Sequence, residues 1–240
     1  MQIPGSEARR GAPCGPPANV PANVPATAPT AAPAAPTTHL LYLHGFRSSP
    51  QSAKARRMAA WVAAQQPARA AAGQPALNWW CPPLPPSPRE ALALLAEGTR
   101  DWPATGVAVV GSSLGGFYAT ALAERPACRA WRVVLINPAV NPARDLERHI
   151  GEQRSWHDPA ERFFFEPGYV AELRALAPGV LSGRERYLPL IATGDEVLDW
   201  HEMAARYPGA PLHLVQGSDH GLSDFETHLP ALLQHLRLAP

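Results

Sequence analysis

Cysteine is scarce in this chain: Cys14, Cys81 and Cys128 are the only three among 240 residues, and they lie far apart. No CxxC pair occurs, which speaks against a disulfide framework or a zinc knuckle and fits a reducing compartment, the cytoplasm. An excess of one charge is also lacking. Lysine and arginine number 21 against 20 aspartates and glutamates, and charged residues make up 17% of the chain. No bulk field therefore draws it to nucleic acid or to an anionic membrane. Long apolar runs are missing too: stretches such as WRVVLINPAV are strand-length, short of the roughly 18 residues a membrane span requires. A soluble globular protein is the class that remains.

Proline, by contrast, is plentiful and unevenly placed. Nine of the 29 fall in the first 36 residues, which also carry the repeat PANVPANVP. Such a segment buries too little surface to offset its ordering entropy, so a disordered tail is expected over 1–37 and one folded domain over 38–240. Arg9-Arg10 and Cys14 are accompanied by no apolar core, so a secretory signal is not expected. A second proline cluster, CPPLPPSPRE, has five prolines in positions 82 to 88. It reads equally as a rigid cleft wall or as a stiff connection entering a helix at Ser87-Pro88.

From His39 onward, short apolar runs alternate with helical patterns. HLLYLHG, ALNWWCP, VAVVGSS, WRVVLINPAV, YLPLIATG and APLHLVQGSDH are the runs. Apolar runs without polar alternation suit strands buried on both faces, and hence a parallel sheet. Six of them with intervening helices predict a compact three-layer α/β sandwich with a mostly parallel sheet. Residues 141 to about 186 break the rhythm as a longer, irregular, aromatic insert, expected to sit over the site as a cap.

Reactive groups in such sheets collect at the carboxyl ends of strands. A serine, an aspartate and a histidine follow three different runs in that order: Ser113, Asp195 and His220. GSSLG places Ser113 between Gly111 and Gly115 where a strand turns sharply into a helix, a turn at which flanking side chains would clash. A serine hydroxyl needs a base, for which His220 after the last strand is best placed. His213, within that strand, and His39, at the start of the first, read as structural, as do the helical His201, His228 and His235; His149 and His157 fall in the insert. The base needs a buried acceptor to fix its tautomer. Asp195, directly after its strand, is preferred; Asp199 reads as the cap of the next helix, and Asp219 is a third choice. An oxyanion hole would take the N–H of Leu114 and that of Phe46 in LHGFRSSP. A metal site built from Asp195, Glu196, Asp199, Asp219 and His220 lacks a second histidine at ligand spacing.

With these residues assembled, the chain resembles the α/β-hydrolase superfamily and, more narrowly, the YqiA-type esterases. LYLHGFRSSPQSAKA, VGSSLGGFYATALAE, LINPAVNP, TGDEVLD and DHGLSDFE carry the likeness, which spans residues 40 to about 236. The resemblance implies a cofactor-free, metal-free α/β-hydrolase fold acting on acyl esters or thioesters, with Ser113 as nucleophile, Asp195 as acid and His220 as base. Departures are Trp79-Trp80 at the second strand, the DHGL sequence around the base, and the proline-rich tail. In the insert, Trp156 and Phe163-Phe164-Phe165 read either as an acyl pocket or as anchors of the cap. No clustered basic residues near the motifs point to a phosphate or coenzyme A clamp. A silent hydrolase fold that binds a ligand or partner is the competing reading.

Overall fold

The computed structural model describes residues 36–158 and 160–238; the first 35 residues, where the tail is expected, lie outside them. In chain order the elements are β1 (His39–Leu43), α1 (Ala53–Ala71), β2 (Asn78–Trp80), α2 (Pro88–Gly98), β3 (Val107–Ser112) and α3 (Leu114–Ala123). Then come β4 (Arg132–Ile136), α4 (Pro142–Glu147), β5 (Gly151–Arg154), β6 (Arg162–Phe165) and α5 (Pro167–Leu176). The chain continues with β7 (Tyr187–Ala192), α6 (Trp200–Arg206), β8 (His213–Val215) and α7 (Phe225–His235).

Six strands form one sheet in the order β2-β1-β3-β4-β7-β8, and all five pairings are parallel. The apolar runs explain it. Leu41, Leu43, Val109, Val133 and Leu135 face one side, against Leu95 of α2 and Phe117 and Leu122 of α3. Leu40, Tyr42, Val110, Val134 and Ile136 face the other, against Met58 and Val62 of α1 and Phe225 and Leu232 of α7. Each fully buried side chain of this size contributes roughly 1.5–3 kcal/mol of transfer free energy. The fold is the α/β-hydrolase fold, with helices on both faces of the sheet. No helix among the described residues is long and apolar enough to cross a membrane.

The segment between β4 and β7 is more regular than its sequence suggests. After α4, Gly151–Arg154 pairs antiparallel with Arg162–Phe165, with Gly151 opposite Phe165 and Arg154 opposite Arg162, and α5 follows. GEQR has no apolar alternation, so the first strand of this hairpin carries no periodic signal of its own; Phe165 supplies the anchor, buried against Phe46 and Tyr169.

A buried polar knot ties the end of α3 to the start of β7. Arg186 is 6% exposed. Its guanidinium donates to Glu124 Oε1 at 2.7 Å, Ala123 O at 2.9 Å and Ser182 O at 3.0 Å. Glu124 also accepts from the Tyr187 hydroxyl and, through Oε2, from Ser182 N–H at 3.1 Å and Ser182 Oγ at 2.8 Å. Burial pushes the Glu124 carboxyl up, but the Tyr187 and Ser182 bonds and the Arg186 charge outweigh it and hold it below the usual carboxylate range.

Candidate active site

Ser113 sits between β3 and α3 at φ 54°, ψ −121°, a conformation unfavourable for a residue with a Cβ, and its side chain makes no capping bond to the helix. Two backbone bonds fix it: Ser113 N–H donates to Ile136 O at 2.9 Å, and Ala139 N–H donates to Ser113 O at 3.0 Å. The glycines around it are dictated by contact. A Cβ on Gly111 would lie 2.4 Å from Gly115 O, one on Gly115 2.0 Å from Leu43 O, and one on Gly116 2.7 Å from Pro138 Cβ. The Ser113 side chain lines a cleft at this end of the sheet.

His220, in the loop after β8, stands beside the Ser113 hydroxyl. Ser113 Oγ lies 3.0 Å from His220 Nε2, and His220 Nδ1 lies 2.7 Å from Asp195 Oδ2. A carboxylate only accepts, so Nδ1 carries the ring proton and Nε2 is left to accept from the serine. The Asp195 side chain is fully buried. Its other oxygen accepts from Val197 N–H and Leu198 N–H, both at 2.8 Å. Asp199 is elsewhere, capping α6 through its bond from His201 N–H. Asp219 Oδ1 accepts from Ser223 N–H, and Glu196 Oε2 accepts from His220 N–H. Of the five groups of the metal-site alternative, Asp195 and Glu196 bond His220, whereas Asp199 and Asp219 are engaged by backbone N–H groups elsewhere.

The loop after β1 closes over the serine. A Cβ on Gly45 would stand 3.1 Å from Ser113 Cβ. His44 is buried, its Nδ1–H donating to Gly45 O at 3.1 Å and its Nε2 accepting from Leu84 N–H at 3.2 Å. Burial holds its pKa down, in keeping with the neutral ring those two bonds require. Bonding the Gly45 carbonyl turns the opposite end of that peptide, the Phe46 N–H, away from His44. Among the described residues, neither Phe46 N–H nor Leu114 N–H, at the first turn of α3, donates to a protein acceptor.

A cleft of about 730 Å³ opens over Ser113 and His220. Phe46, Leu146, Val197, Leu198, Leu222 and Phe225 give it apolar walls. Sequence distance conceals a further feature. Arg47, Lys54, Arg57 and Arg148 all line this cleft, so the fold gathers the basic cluster that the sequence keeps apart. Arg57 is paired with Glu226. Arg47 stacks on Trp156, its guanidinium carbon 4.0 Å from the ring centroid. Lys54 Nζ donates to Gly221 O, and burial lowers its pKa against the opposing pull of Asp219. Among the described residues, Arg47, Lys54 and Arg148 have no carboxylate within ion-pair distance.

The aromatic residues of the insert divide between two places. Phe163 and Phe165 pack edge-on against Phe46 and anchor the segment to the loop after β1, while Trp156 lines the cleft with His149 and His157; Phe164 is exposed. The proline cluster enters a helix, and none of its residues lines the cleft over Ser113. Ser87 caps α2 by accepting from Glu90 N–H, and Leu84, Pro85 and Pro86 wall a smaller cavity of about 120 Å³ on the far side of Gly45-Phe46.

Residues 39–237 match the uncharacterised protein family UPF0227. Among solved structures, the chain is similar to a protein of Agrobacterium vitis S4 provisionally assigned as a hydrolase, with 18% identity, a TM-score of 0.62, and 85% of this chain and 91% of that one covered. One of the metagenome-derived lipolytic enzymes LipS and LipT is similar at 18% identity and a TM-score of 0.60, over 86% and 96% of the two chains. The monoacylglycerol lipase of Paleococcus ferrophilus is similar at 14% identity and 0.57, over 85% and 96%. At these identities the likeness is one of fold.

Proposed function

The chain belongs to UPF0227, a YqiA-type family of α/β-hydrolases, and from that premise we propose that it is a serine hydrolase cleaving acyl esters or thioesters. The observation that carries the reading is the unbroken line of bonds from Ser113 through His220 to buried Asp195. Both distances lie within the roughly 2.6–3.2 Å that proton transfer between positioned groups requires. Lipolytic activity in proteins of the same fold lends support.

In this mechanism Ser113 Oγ attacks the acyl carbon as its proton passes to His220 Nε2. Asp195 stabilises the resulting imidazolium through Nδ1–H. The carbonyl oxygen takes up negative charge facing the N–H groups of Phe46 and Leu114. His220 returns the proton to the departing alkoxide or thiolate, leaving an acyl-enzyme on Ser113. Water, deprotonated by His220, then attacks the acyl carbon and releases the carboxylic acid, restoring the serine. Residues 141–186 roof the cleft as a cap, and their apolar faces set which acyl groups enter.

The test is labelling of the wild-type protein and of Ser113→Ala with a fluorophosphonate. Expected is labelling that disappears in the variant. A folded wild-type protein that stays unlabelled would sink the reading and bring the silent binding fold forward.

The cleft also carries an expectation about charge. Three basic groups without carboxylate partners favour a substrate bearing an anionic group near the scissile bond. A nitrophenyl hemisuccinate is expected to show a lower KM than the nitrophenyl butyrate, by roughly fivefold at low salt, the advantage shrinking as salt screens it. Equal KM values, or a preference indifferent to salt, would remove the cations from substrate recognition.

A further inference from the structure

Asn137, the residue that follows β4, is fully buried and adopts φ 41°. Its backbone N–H donates to Leu190 O at 3.0 Å, and its side-chain Oδ1 accepts from Ala192 N–H at 2.8 Å. Both partners belong to β7, the strand that leads into Asp195. The other end of the same side chain turns to the base: Nδ2 donates to Asp219 O and to His220 O, each at 3.0 Å. The neighbours Ile136 and Ala139 hold Ser113 through the two backbone bonds described above. Three residues of the 136–139 stretch thus bond to Ser113, to the His220 loop and to the strand that leads into Asp195.

We propose that Asn137 is a positioning residue, whose carboxamide holds the His220 loop against the end of the Asp195 strand and so sets the distance from imidazole to Ser113. This rests on the serine-hydrolase reading for its consequence in rate. The requirement is chemical. Two converging carbonyls need two N–H donors from one group, while a backbone N–H needs an acceptor on the same group. A carboxamide meets all three demands; a carboxylate meets only the last. The backbone adds its own condition, because at positive φ asparagine is tolerated better than most residues with a side chain. Other ties on this loop include Glu196 accepting from His220 N–H, Lys54 donating to Gly221 O, Gly217 N–H donating to Thr193 Oγ1 and Gly194 N–H donating to Gly217 O.

Two variants of the full chain test it. Asn137→Gly keeps the positive φ without strain and deletes the tether. Asn137→Asp is isosteric and sets a carboxylate against the two carbonyls. The readouts are kcat and KM for a nitrophenyl ester, the pH profile of kcat/KM, and the downfield proton resonance of His220 Nδ1–H, assigned by its loss in His220→Gln. For Asn137→Gly, kcat is expected to fall by about 30- to 100-fold with KM changed less than about threefold, as displacements near 1 Å at a reacting group produce. The Nδ1–H resonance should shift or broaden.

For Asn137→Asp, the acid limb of the profile should move to higher pH, since a new anion near the ring favours imidazolium. The charged groups already around His220, namely Asp195, Glu196, Asp219 and Lys54, are the same in wild type and both variants. A folded Asn137→Gly with kcat within threefold of wild type and an unmoved resonance overturns the proposal. Should that variant fail to fold, an Asn137→Asp protein with an unmoved limb and resonance overturns it equally. Absence of turnover and of fluorophosphonate labelling in the wild type would defeat the hydrolase reading instead; the resonance would still decide whether Asn137 holds His220.

Discussion

Ser113→Ala is expected to lower kcat/KM for an acyl nitrophenyl ester by about 10⁴-fold or more, near 5.5 kcal/mol of transition-state stabilisation. His220→Ala should cost a similar factor, and the double variant should be no slower than either single one, because the two side chains act as a unit. Steady-state kinetics on the three proteins checks this; additive losses would mean that serine and histidine act separately. The aspartates sharpen the test. In Asp195→Asn the amide oxygen stays with the Val197 and Leu198 N–H groups, so its NH2 faces Nδ1 and selects the tautomer in which Nε2 holds the proton and has no capacity for the serine's. A loss of about 10⁴-fold in kcat follows. Asp199→Asn, at an exposed cap of α6 that does not line the cleft, should leave kcat within about twofold, as a surface change does. A reversal of this pair of results would reassign the acid.

The second large effect concerns folding. Arg186→Met removes the cation from the knot that joins the end of α3 to the start of β7, leaving the Glu124 carboxylate desolvated. Stripping one partner from a buried pair costs roughly 3–5 kcal/mol, which for a domain of this size lowers Tm by about 10 °C or more. Thermal unfolding measured across pH adds a signature. The Glu124 carboxyl is held below its ordinary pKa when folded. Its contribution is therefore fully present above the unfolded carboxylate pKa and is lost as pH falls through the depressed folded value. Wild type and variant should accordingly converge in stability toward acid. A constant gap across that range would mean that the loss is one of packing and not of charge.

What the sequence disclosed divides along the range of the interactions involved. Strands β1, β3, β4 and β7 are legible because burial on both faces demands consecutive apolar residues, as in VAVVG and LPLIA. The elbow is legible because the contacts that exclude side chains from Gly111 and Gly115 reach only to the adjoining strand and helix. Asn137 is another matter. It stands in LINPAV as one polar residue after an apolar run, and its partners lie 55, 82 and 83 positions away. Nothing local marks it, although an asparagine following a strand at the sheet's carboxyl edge is the signal that a search for positive φ would have weighed. Arg47, Lys54 and Arg148 escape for the same reason: only the closed sheet brings the loop after β1, the start of α1 and the end of α4 around one cleft. The β5–β6 hairpin was hidden by polarity, its first strand having no apolar face to betray the period.

The order of the sheet has a consequence for the chain as it is being made. The serine elbow and the loop that faces it both lie within residues 44–116, on strands that pair with one another at the centre of the sheet. The histidine arrives last, on the far side of a three-residue strand that pairs with β7 alone at the sheet's edge. Domains begin to fold during synthesis from the N-terminal side. A ribosome-bound chain that has formed its central strands therefore holds an assembled turn and an inert hydroxyl. On the proposed mechanism chemistry waits for the final edge, and premature termination anywhere before His220 yields a fragment without its base.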